Sequence, residues 1–333
     1  MPEPDTFVLI PTANRPEFLA AALDSVAGQT GRDRIREVRV MENGGDRRSE
    51  AVSAQFADRL PIRYVFRQPS LTPLEHGRLI TGESYPCRYV AILHDDDWWA
   101  PRHLSCSFEA LERNKAVACY SASYDVQAGR PAALYDGSLM CAFACGYPPI
   151  TRNWSMDLAS VLVANFPGTP GRFSTLVADA GVFRECACVL DSGNDFDNDR
   201  MYSVALGTKG KMVYRPLPSV FIRAHPGQDG HRHTGNEQFD HALQTTVWLF
   251  AVAKENRIDL MKELEARLNA CPRQFLEAIL KRLTIPVLYQ LLRTMPDLPP
   301  LLLEYWRQIE RRDADSGRGQ SPAPASLSAP ASA

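Results

Sequence analysis

Residues 89–101 read YVAILHDDDWWAP and join a strand-like run to an acidic triplet. The apolar run 89–93 is typical of a strand that is covered on both faces of a parallel sheet. Asp95, Asp96 and Asp97 follow where this strand would end. Because ligands of open α/β sheets bind outside the carboxyl ends of the strands, the segment predicts an α/β fold with a binding site at the triplet.

The adjacent carboxylates of the triplet favour a bound divalent cation. They repel one another, and a cation relieves that repulsion. Carboxylate oxygens suit Mg²⁺ or Mn²⁺, which one or two carboxylates hold together with substrate phosphates. The alternative is a solvated acidic turn ahead of a helix that Pro101 opens, since carboxylates near a helix N-terminus are stabilising.

The first 120 residues alternate between strand-like and helix-like patterns. This alternation is typical of a sheet whose parallel strands are joined by helices. The predicted strands are 7–10, 38–41, 62–66, 89–93 and 116–120, and the predicted helices begin at Pro16, near residue 51, within 68–81 and at Pro101. The sequence therefore predicts an α/β fold with a mixed, mainly parallel sheet flanked by helices.

The pattern loosens beyond the fifth predicted strand. Residues 121–185 have no clear period and are rich in Gly, Pro and aromatic residues. A polar stretch, 191–199, precedes a helix that begins near Met201. Two apolar runs, 211–214 and 219–223, predict two further strands.

Two further segments follow. Residues 237–311 have helical periodicity, and the apolar positions within 283–292 predict core packing, a homodimer face or a peripheral membrane contact, in that order. Residues 313–333 consist mainly of Ala, Ser, Pro and Gly, which predicts a disordered tail.

Composition excludes several classes of protein. The chain has 37 Lys and Arg against 39 Asp and Glu and a formal net charge of −2, which argues against nucleic-acid binding. Its longest apolar run, 247–253, is far below the roughly 20 residues of a transmembrane helix, and residues 1–5 do not read as a secretory signal. We therefore expect a cytoplasmic protein, with the inner face of the membrane as the alternative, and free thiols at its eight cysteines.

Four groups of motifs, in the family's order, resemble the family 2 glycosyltransferases of the GT-A fold. They are FVLIPTANRP at 7–16, VMENGG at 40–45, LHDDDWWAP at 93–101, and DND at 197–199 together with RAHPG at 223–227. They are similar to the family's opening strand and nucleotide-contacting turn, its second strand, its metal-binding Asp-x-Asp segment, and its acidic catalytic segment with the closing motif. The resemblance covers about residues 5–226 and implies a GT-A type sheet.

The resemblance implies a nucleotide-diphospho-sugar donor, with a UDP-sugar favoured, whose base lies over the ends of the first two strands. The residues implied to bind it are Pro11, Thr12, Asn14, Arg15, Glu42, Asn43, Arg78 and Asp95, with Arg67 as the alternative to Arg78. Glu42 stands where the family usually has Asp, which leaves the choice of nucleotide open.

The resemblance also implies a site for Mn²⁺ or Mg²⁺. Asp96 takes the main ligand position, Asp97 lies beside it, and His225 approaches the metal or the diphosphate. His94 falls on the first acid of the family's usual Asp-x-Asp-Asp pattern. The alternatives for it are a metal ligand, a phosphate contact or a packed residue at the strand end, and we favour the last two.

The acidic stretch 191–199 is the implied source of a catalytic base. The attacking hydroxyl must lose its proton, so a carboxylate is needed beneath the anomeric carbon. Asp197 and Asp199 are the candidates, with Asp197 slightly favoured, and Asp195 is a third acid nearby. One-step attack of this kind inverts the anomeric centre. The alternative for this stretch is a polar loop that caps the following helix.

These expectations combine into one organisation and one function. A GT-A domain spans 1–236, with a nucleotide-sugar half at 1–120 and an acceptor and catalytic half at 121–236, followed by a helical extension at 237–312 and the tail at 313–333. We expect a metal-dependent, inverting glycosyltransferase that acts on a glycan, lipid-linked or other hydroxyl acceptor in glycan or cell-envelope polysaccharide synthesis. The alternative is a catalytically degenerate GT-A domain that binds nucleotide sugar or glycan without turnover.

Overall fold

A computed structural model describes residues 3–135, 137–192, 197–225, 235–272 and 275. Within these ranges the chain forms a ten-stranded sheet that is covered by helices on both faces. Among the sequence predictions, Asp195, the apolar positions within 283–292 and the tail at 313–333 lie outside the described residues.

Strands and helices alternate along the first 120 residues, as predicted. The strands are β1 (Thr6–Thr12), β2 (Ile35–Asn43), β3 (Ile62–Arg67), β4 (Tyr89–Ile92), β5 (Trp98–Trp99), β6 (Ala118–Gln127), β7 (Arg130–Leu134), β8 (Trp154–Met156), β9 (Val177–Asp179) and β10 (Met212–Arg223). The α-helices are α1 (Pro16–Ala27), α2 (Arg48–Ala54), α3 (Pro73–Gly82), α4 (His103–Asn114), α5 (Gly137–Cys145), α6 (Leu158–Asn165), α7 (Ala180–Glu185), α8 (Asn198–Lys209), α9 (Gly235–Glu255) and α10 (Leu260–Ala270). Short 3₁₀ helices cover Arg32–Arg34, Phe173–Thr175 and Cys186–Ser192.

The strand order of the sheet is β3-β2-β1-β4-β9-β6-β10-β5, with β7 beside β6 and β8 beside β10. Strands β3, β2, β1 and β4 are parallel, and so are β6 and β10. Strand β9 is antiparallel to both of its neighbours, β4 and β6, and joins the two parallel groups. Parallel neighbours need long crossover connections, which α1, α2 and α3 supply. The predicted mixed α/β sheet is confirmed.

Alternate side chains of β1 contribute to two hydrophobic cores. Val8 and Ile10 belong to the core that includes α1 and α4, whereas Phe7 and Leu9 belong to the core that includes α5, α6 and α8. This is the two-residue alternation of a β-strand, and both faces are apolar because helices cover both sides of the sheet. The continuous apolar run in the sequence follows from this double burial.

The two strands predicted between residues 211 and 223 are one strand, β10, so that prediction is wrong. The parallel pairing of β10 with β6 shifts register between Arg215 and Val220. Pro216 and Pro218 lie within this shift, and neither has a backbone N–H to donate to the ladder. The apolar pattern is therefore interrupted although the strand continues.

The region 121–185 contains regular structure although its sequence shows no period. It holds most of β6, the strands β7, β8 and β9, and the helices α5, α6 and α7. Strands β8 and β9 have three residues each, and six of the eight residues of α6 are buried. Such short strands and an all-round buried helix produce neither the two-residue nor the 3.6-residue alternation.

A short antiparallel pair places the acidic triplet beside the last strand. Strand β5 pairs with β10 through Trp99–Val220 and Trp98–Phe221. The triplet forms the connection between β4 and β5, so it lies near the carboxyl end of β10 and near His225, which follows it.

Helices α9 and α10 pack in the same core as α6 and α8. Leu249 and Val252 of α9 are buried there, as are Leu260, Leu264 and Leu268 of α10. The described part of the predicted helical extension therefore belongs to this hydrophobic core. The predicted domain boundaries stay a prediction. Among the residues that the structure describes, no helix has the length and apolar character to cross a membrane.

Two helical glycines provide a matched test of the packing between α6 and α8. A Cβ on Gly207 of α8 would lie 2.9 Å from Cγ1 of Val161 on α6, whereas a Cβ on Gly82 of α3 would meet nothing within 4 Å. We expect Gly207→Ala to lower the free energy of unfolding by about 1–3 kcal/mol because the two helices must move apart. Gly82→Ala should raise it by up to about 1 kcal/mol, since the unfolded chain loses entropy. Urea denaturation measures both, and equal effects would contradict close packing at Gly207.

Candidate active site

The acidic triplet is buried. Asp95, Asp96 and Asp97 are 1%, 7% and 3% exposed. The backbone N–H of Asp97 donates to the carbonyl of His94 at 3.1 Å, which folds the triplet into a tight turn at the end of β4. The alternative of a solvated acidic turn is therefore wrong, and each buried carboxylate needs a partner.

Asp95 joins the end of β4 to the end of β1. The hydroxyl of Thr12 donates to its Oδ2 at 2.6 Å, and Nη2 of Arg15 lies 3.3 Å from its Oδ1. Burial raises the pKa of Asp95 to about 6, although the charge of Arg15 opposes the shift. Through Asp95, the triplet thus binds the loop between β1 and α1.

Asp96 is surrounded by basic side chains. Nη1 of Arg15 donates to its Oδ2 at 2.8 Å, and Nε2 of His225 lies 2.9 Å from the same oxygen. Burial alone would raise the pKa of this carboxyl, but the nearby His94, His225 and Arg15 together lower it below its usual value. The predicted proximity of His225 to the triplet is therefore present in the fold.

Asp97 is held by the segment before β9 and by the end of β10. The hydroxyl of Ser174 donates to its Oδ2 at 2.5 Å, and the backbone N–H of Arg223 donates to its Oδ1 at 3.0 Å. Ser174 also accepts a hydrogen bond from the backbone N–H of His94 at 3.0 Å, and its carbonyl accepts one from the indole N–H of Trp99 at 2.8 Å. Burial, reinforced by the neighbouring carboxylate, raises the pKa of Asp97 to about 8.

Sequence reasoning missed the segment that holds Asp97. Ser174 belongs to the 3₁₀ helix Phe173–Thr175, within the region without periodicity. Arg172, just before this helix, donates to Oδ1 of Asp125 at 2.8 Å. A single serine and a single arginine in irregular sequence carry no signal, and only the antiparallel insertion of β9 brings them to the end of β4.

His94, Asp96 and Asp97 form the one group of three metal-ligating side chains within the described part of the chain. Their ligand atoms all lie within 4.8 Å of one another. Imidazole and carboxylate donors together suit Mn²⁺, and the carboxylates suit Mg²⁺. These residues therefore fit a divalent cation. His94 is among the ligand candidates, although the sequence favoured a phosphate contact or a packed residue over this alternative. The eight cysteines are free thiols and lie outside this group.

The predicted nucleotide contacts gather where β1 and β2 end. Asn14 has a left-handed backbone (φ 59°), and a Cβ on Gly45 would lie 2.6 Å from its Oδ1. Asn43 makes two hydrogen bonds of 2.9 Å with the backbone of Leu71. Pro11 lies within β1, one residue before its end. The loops after the two strands are therefore in close contact with each other beside the triplet.

Glu42 and Arg78 contact other parts of the chain. Glu42 is fully buried, and its two carboxylate oxygens accept hydrogen bonds from the hydroxyls of Ser49 (2.9 Å) and Tyr64. Nε of Arg78 donates to the carbonyl of Leu190 at 2.9 Å. Neither side chain contacts the triplet among the residues described, so their roles in donor binding stay predictions.

Asp197 is the partner of a buried arginine. It lies immediately before α8 and is 7% exposed, and Nη1 of Arg200 is 3.3 Å from its Oδ2. Arg200 also donates to the carbonyls of Asn165 and Phe166 and, at 3.2 Å, to the hydroxyl of Thr246. This arginine therefore ties the start of α8 to α6 and α9.

Asp199 lies in the first turn of α8 and is half-buried. The backbone N–H dipole of Phe173 acts on its carboxylate and opposes a rise in its pKa. Burial raises the pKa of Asp199 to about 7, although the charge of Arg172 opposes the shift. The next residue in this segment is Ser174, whose hydroxyl binds Asp97, so one short stretch of chain lies near both acids.

The sequence matches one family model over part of its length. Residues 7–138, which contain the triplet and the loops after β1 and β2, match the family described as Glycosyl transferase family 2. No curated protein sequence matches the chain.

Solved structures similar to this fold include two of TarS 1-349 from S. aureus. The complex with UDP-GlcNAc has a TM-score of 0.53 and 10% identity, over 94% of this chain and 92% of that chain. The second has a TM-score of 0.50 and 10% identity, over 95% of this chain and 93% of that chain. At this identity the two structures show the fold alone. The family match and the fold together establish that the protein is a glycosyltransferase, with a family 2 domain on a GT-A fold.

Proposed function

We propose that this glycosyltransferase is metal-dependent and inverting, and that it moves a sugar from a nucleotide-diphospho-sugar to a hydroxyl acceptor. The observation that carries the proposal is the position of the buried triplet, which has an amide and a guanidinium side chain on one side and a carboxylate on the other. Asn14 and Arg15 lie on the β1 side, and Asp199 lies on the α8 side. A diphosphate at the triplet would have its nucleoside towards β1 and β2 and its sugar towards α8.

The ends of β1 and β2 support a nucleotide donor. Thr12, Asn14, Arg15 and Asn43 all lie there, and their polar side chains suit a nucleoside and a diphosphate. The TarS structure with this fold contains UDP-GlcNAc, which favours a UDP-sugar for this chain as well. Asp95, which bonds Thr12 and Arg15, is proposed to keep this loop in place.

The proposed metal ligands are Asp96, Asp97 and His94, with His225 as a further candidate beside Asp96. Mn²⁺ or Mg²⁺ at these residues would act as a Lewis acid that neutralises the departing diphosphate. The buried position of the carboxylates strengthens their attraction for a cation because little water screens it.

Asp199 is our proposed catalytic base. Its raised pKa suits a group that must accept a proton near neutral pH. Asp197, which the sequence slightly favours, is engaged with the buried Arg200, so we propose a structural role for it. A carboxylate that takes the proton from an attacking hydroxyl supports direct displacement, which inverts the anomeric centre.

The acceptor is proposed by class. We propose a glycan, lipid-linked or other hydroxyl acceptor, used in polysaccharide synthesis on the cytoplasmic side. This part of the proposal rests on the family resemblance alone. Homodimer and membrane contacts through the residues beyond α10 likewise stay predictions.

Thermal unfolding with nucleotide sugars tests the proposed donor and metal. We expect UDP-GlcNAc to raise the Tm with Mn²⁺ present, since a ligand at 100 times its Kd stabilises the folded state by about 2.7 kcal/mol. Asp96→Asn should lose the part of the Tm increase that depends on Mn²⁺. An assay of transfer and donor hydrolysis on the same samples separates an enzyme from a degenerate binding domain. No stabilisation by any nucleotide sugar would contradict the proposal.

Two isosteric variants distinguish the candidate bases. We expect Asp199→Asn to lower kcat by about 10²–10⁴-fold with little change in the KM for the donor, because only proton removal is lost. Asp197→Asn should lower the Tm through Arg200 and change kcat by less than about tenfold. Steady-state kinetics on folded protein measures both. The reverse pattern, with Asp197→Asn inactive and Asp199→Asn active, would assign the base to Asp197.

Stability against pH gives an independent test of Asp199. Its folded-state pKa, about 7, is above the usual value for Asp, so the folded protein holds this proton more tightly than the unfolded chain does. The resulting stability is complete below about pH 4 and is lost as the pH rises through 7. Between pH 5 and pH 8, metal-free wild type should lose roughly 2 kcal/mol more unfolding free energy than Asp199→Asn. Parallel curves from urea denaturation would show that the carboxyl is unperturbed.

A further inference from the structure

Arg15 is a cation that already neutralises part of the acidic triplet. It immediately precedes α1, and its side chain is 27% exposed. Its Nη1 donates to Oδ2 of Asp96 at 2.8 Å, while its Nη2 lies 3.3 Å from Oδ1 of Asp95. One guanidinium therefore spans two neighbouring carboxylates, which its rigid planar fork suits.

The guanidinium of Arg15 and a metal ion would compete for the same carboxylate. Asp96 belongs to the candidate ligand group, yet its Oδ2 is already in contact with Nη1 of Arg15 and, at 2.9 Å, with Nε2 of His225. A divalent cation that binds alone would bring two positive charges next to this guanidinium. In a buried site such like-charge repulsion is large.

We propose that Arg15 is an internal cation on Asp96 that leaves when metal and diphosphate bind together, and that it then pairs with the diphosphate. This inference rests on the proposed nucleotide-sugar function. Arginine forks pair with phosphate as they do with carboxylate, so the diphosphate replaces the partner that Arg15 gives up. The metal in turn replaces the charge that Asp96 gives up. The diphosphate thereby removes the repulsion between the metal and Arg15, and the metal removes the cost of leaving Asp96 without a cation.

The consequence is a reciprocal coupling between the two ligands. UDP must raise the affinity for Mn²⁺ by the same factor by which Mn²⁺ raises the affinity for UDP. Without Arg15 the metal no longer competes with the guanidinium for Asp96, and the diphosphate loses one partner. An arginine that merely oriented the loop would change the two affinities in the same direction when it is removed.

Isothermal titration calorimetry on the full chain tests the exchange, with Mn²⁺ alone, UDP alone, and each in the presence of the other. In the wild type we expect UDP to raise the affinity for Mn²⁺ by about tenfold or more. In Arg15→Met, Mn²⁺ alone should bind about three- to tenfold more tightly than in the wild type, and the effect of UDP should fall to about threefold or less. Arg15→Lys should lie between the two, because it keeps the charge and loses the fork.

The matched control is Arg113→Met, which removes one charge from an exposed position on α4 and should bind Mn²⁺ as the wild type does. Circular dichroism confirms the fold of each variant, and Arg15→Lys carries the test if Arg15→Met does not fold. Equal or weaker Mn²⁺ binding by folded Arg15 variants, with wild type binding both ligands, overturns the inference and leaves the proposed function intact. Wild type that binds no UDP, with or without Mn²⁺, overturns both.

Discussion

Three carboxylates buried side by side are the constraint around which this molecule is arranged. Charges removed from water are costly unless each is paired or hydrogen-bonded. Their partners come from distant parts of the chain, namely the hydroxyl of Thr12, the guanidinium of Arg15, the hydroxyl of Ser174, the backbone of Arg223 and the imidazole of His225. The strand order has to bring the ends of β1, β4 and β10 and the segment before β9 to one edge of the sheet, and this edge is the site.

Strand β9 links the two halves of that site. It lies antiparallel between β4 and β6, so the residues that precede it reach the carboxyl end of β4. There Ser174 binds Asp97, while the backbone of Phe173 lies near Asp199 of α8. The proposed metal ligand and the proposed base thus lie beside consecutive residues of one segment.

Much of the fold could be predicted because β1 and β4 are buried on both faces and leave unbroken apolar runs. The triplet was equally visible, since acids that follow such a run lie at the carboxyl edge of a parallel sheet. The role of Ser174 could not be predicted, because a single serine in a region of short elements belongs to no recognisable sequence pattern. The burial of Glu42 depends on Ser49 and Tyr64, which only the folded chain brings to it. The engagement of Asp197 with Arg200 likewise depends on how α8 packs.

The two ends of the main strand path also affect how copies of this protein can associate. At one end β3 pairs with β2 and with no other strand of the described residues, and its six residues include the charged Arg63 and Arg67. At the other end β5 is two residues long. Charged or very short edge strands discourage another strand from adding to a sheet. At these two ends, in the described part of the chain, the sheet therefore offers little template for the addition of a strand from another copy.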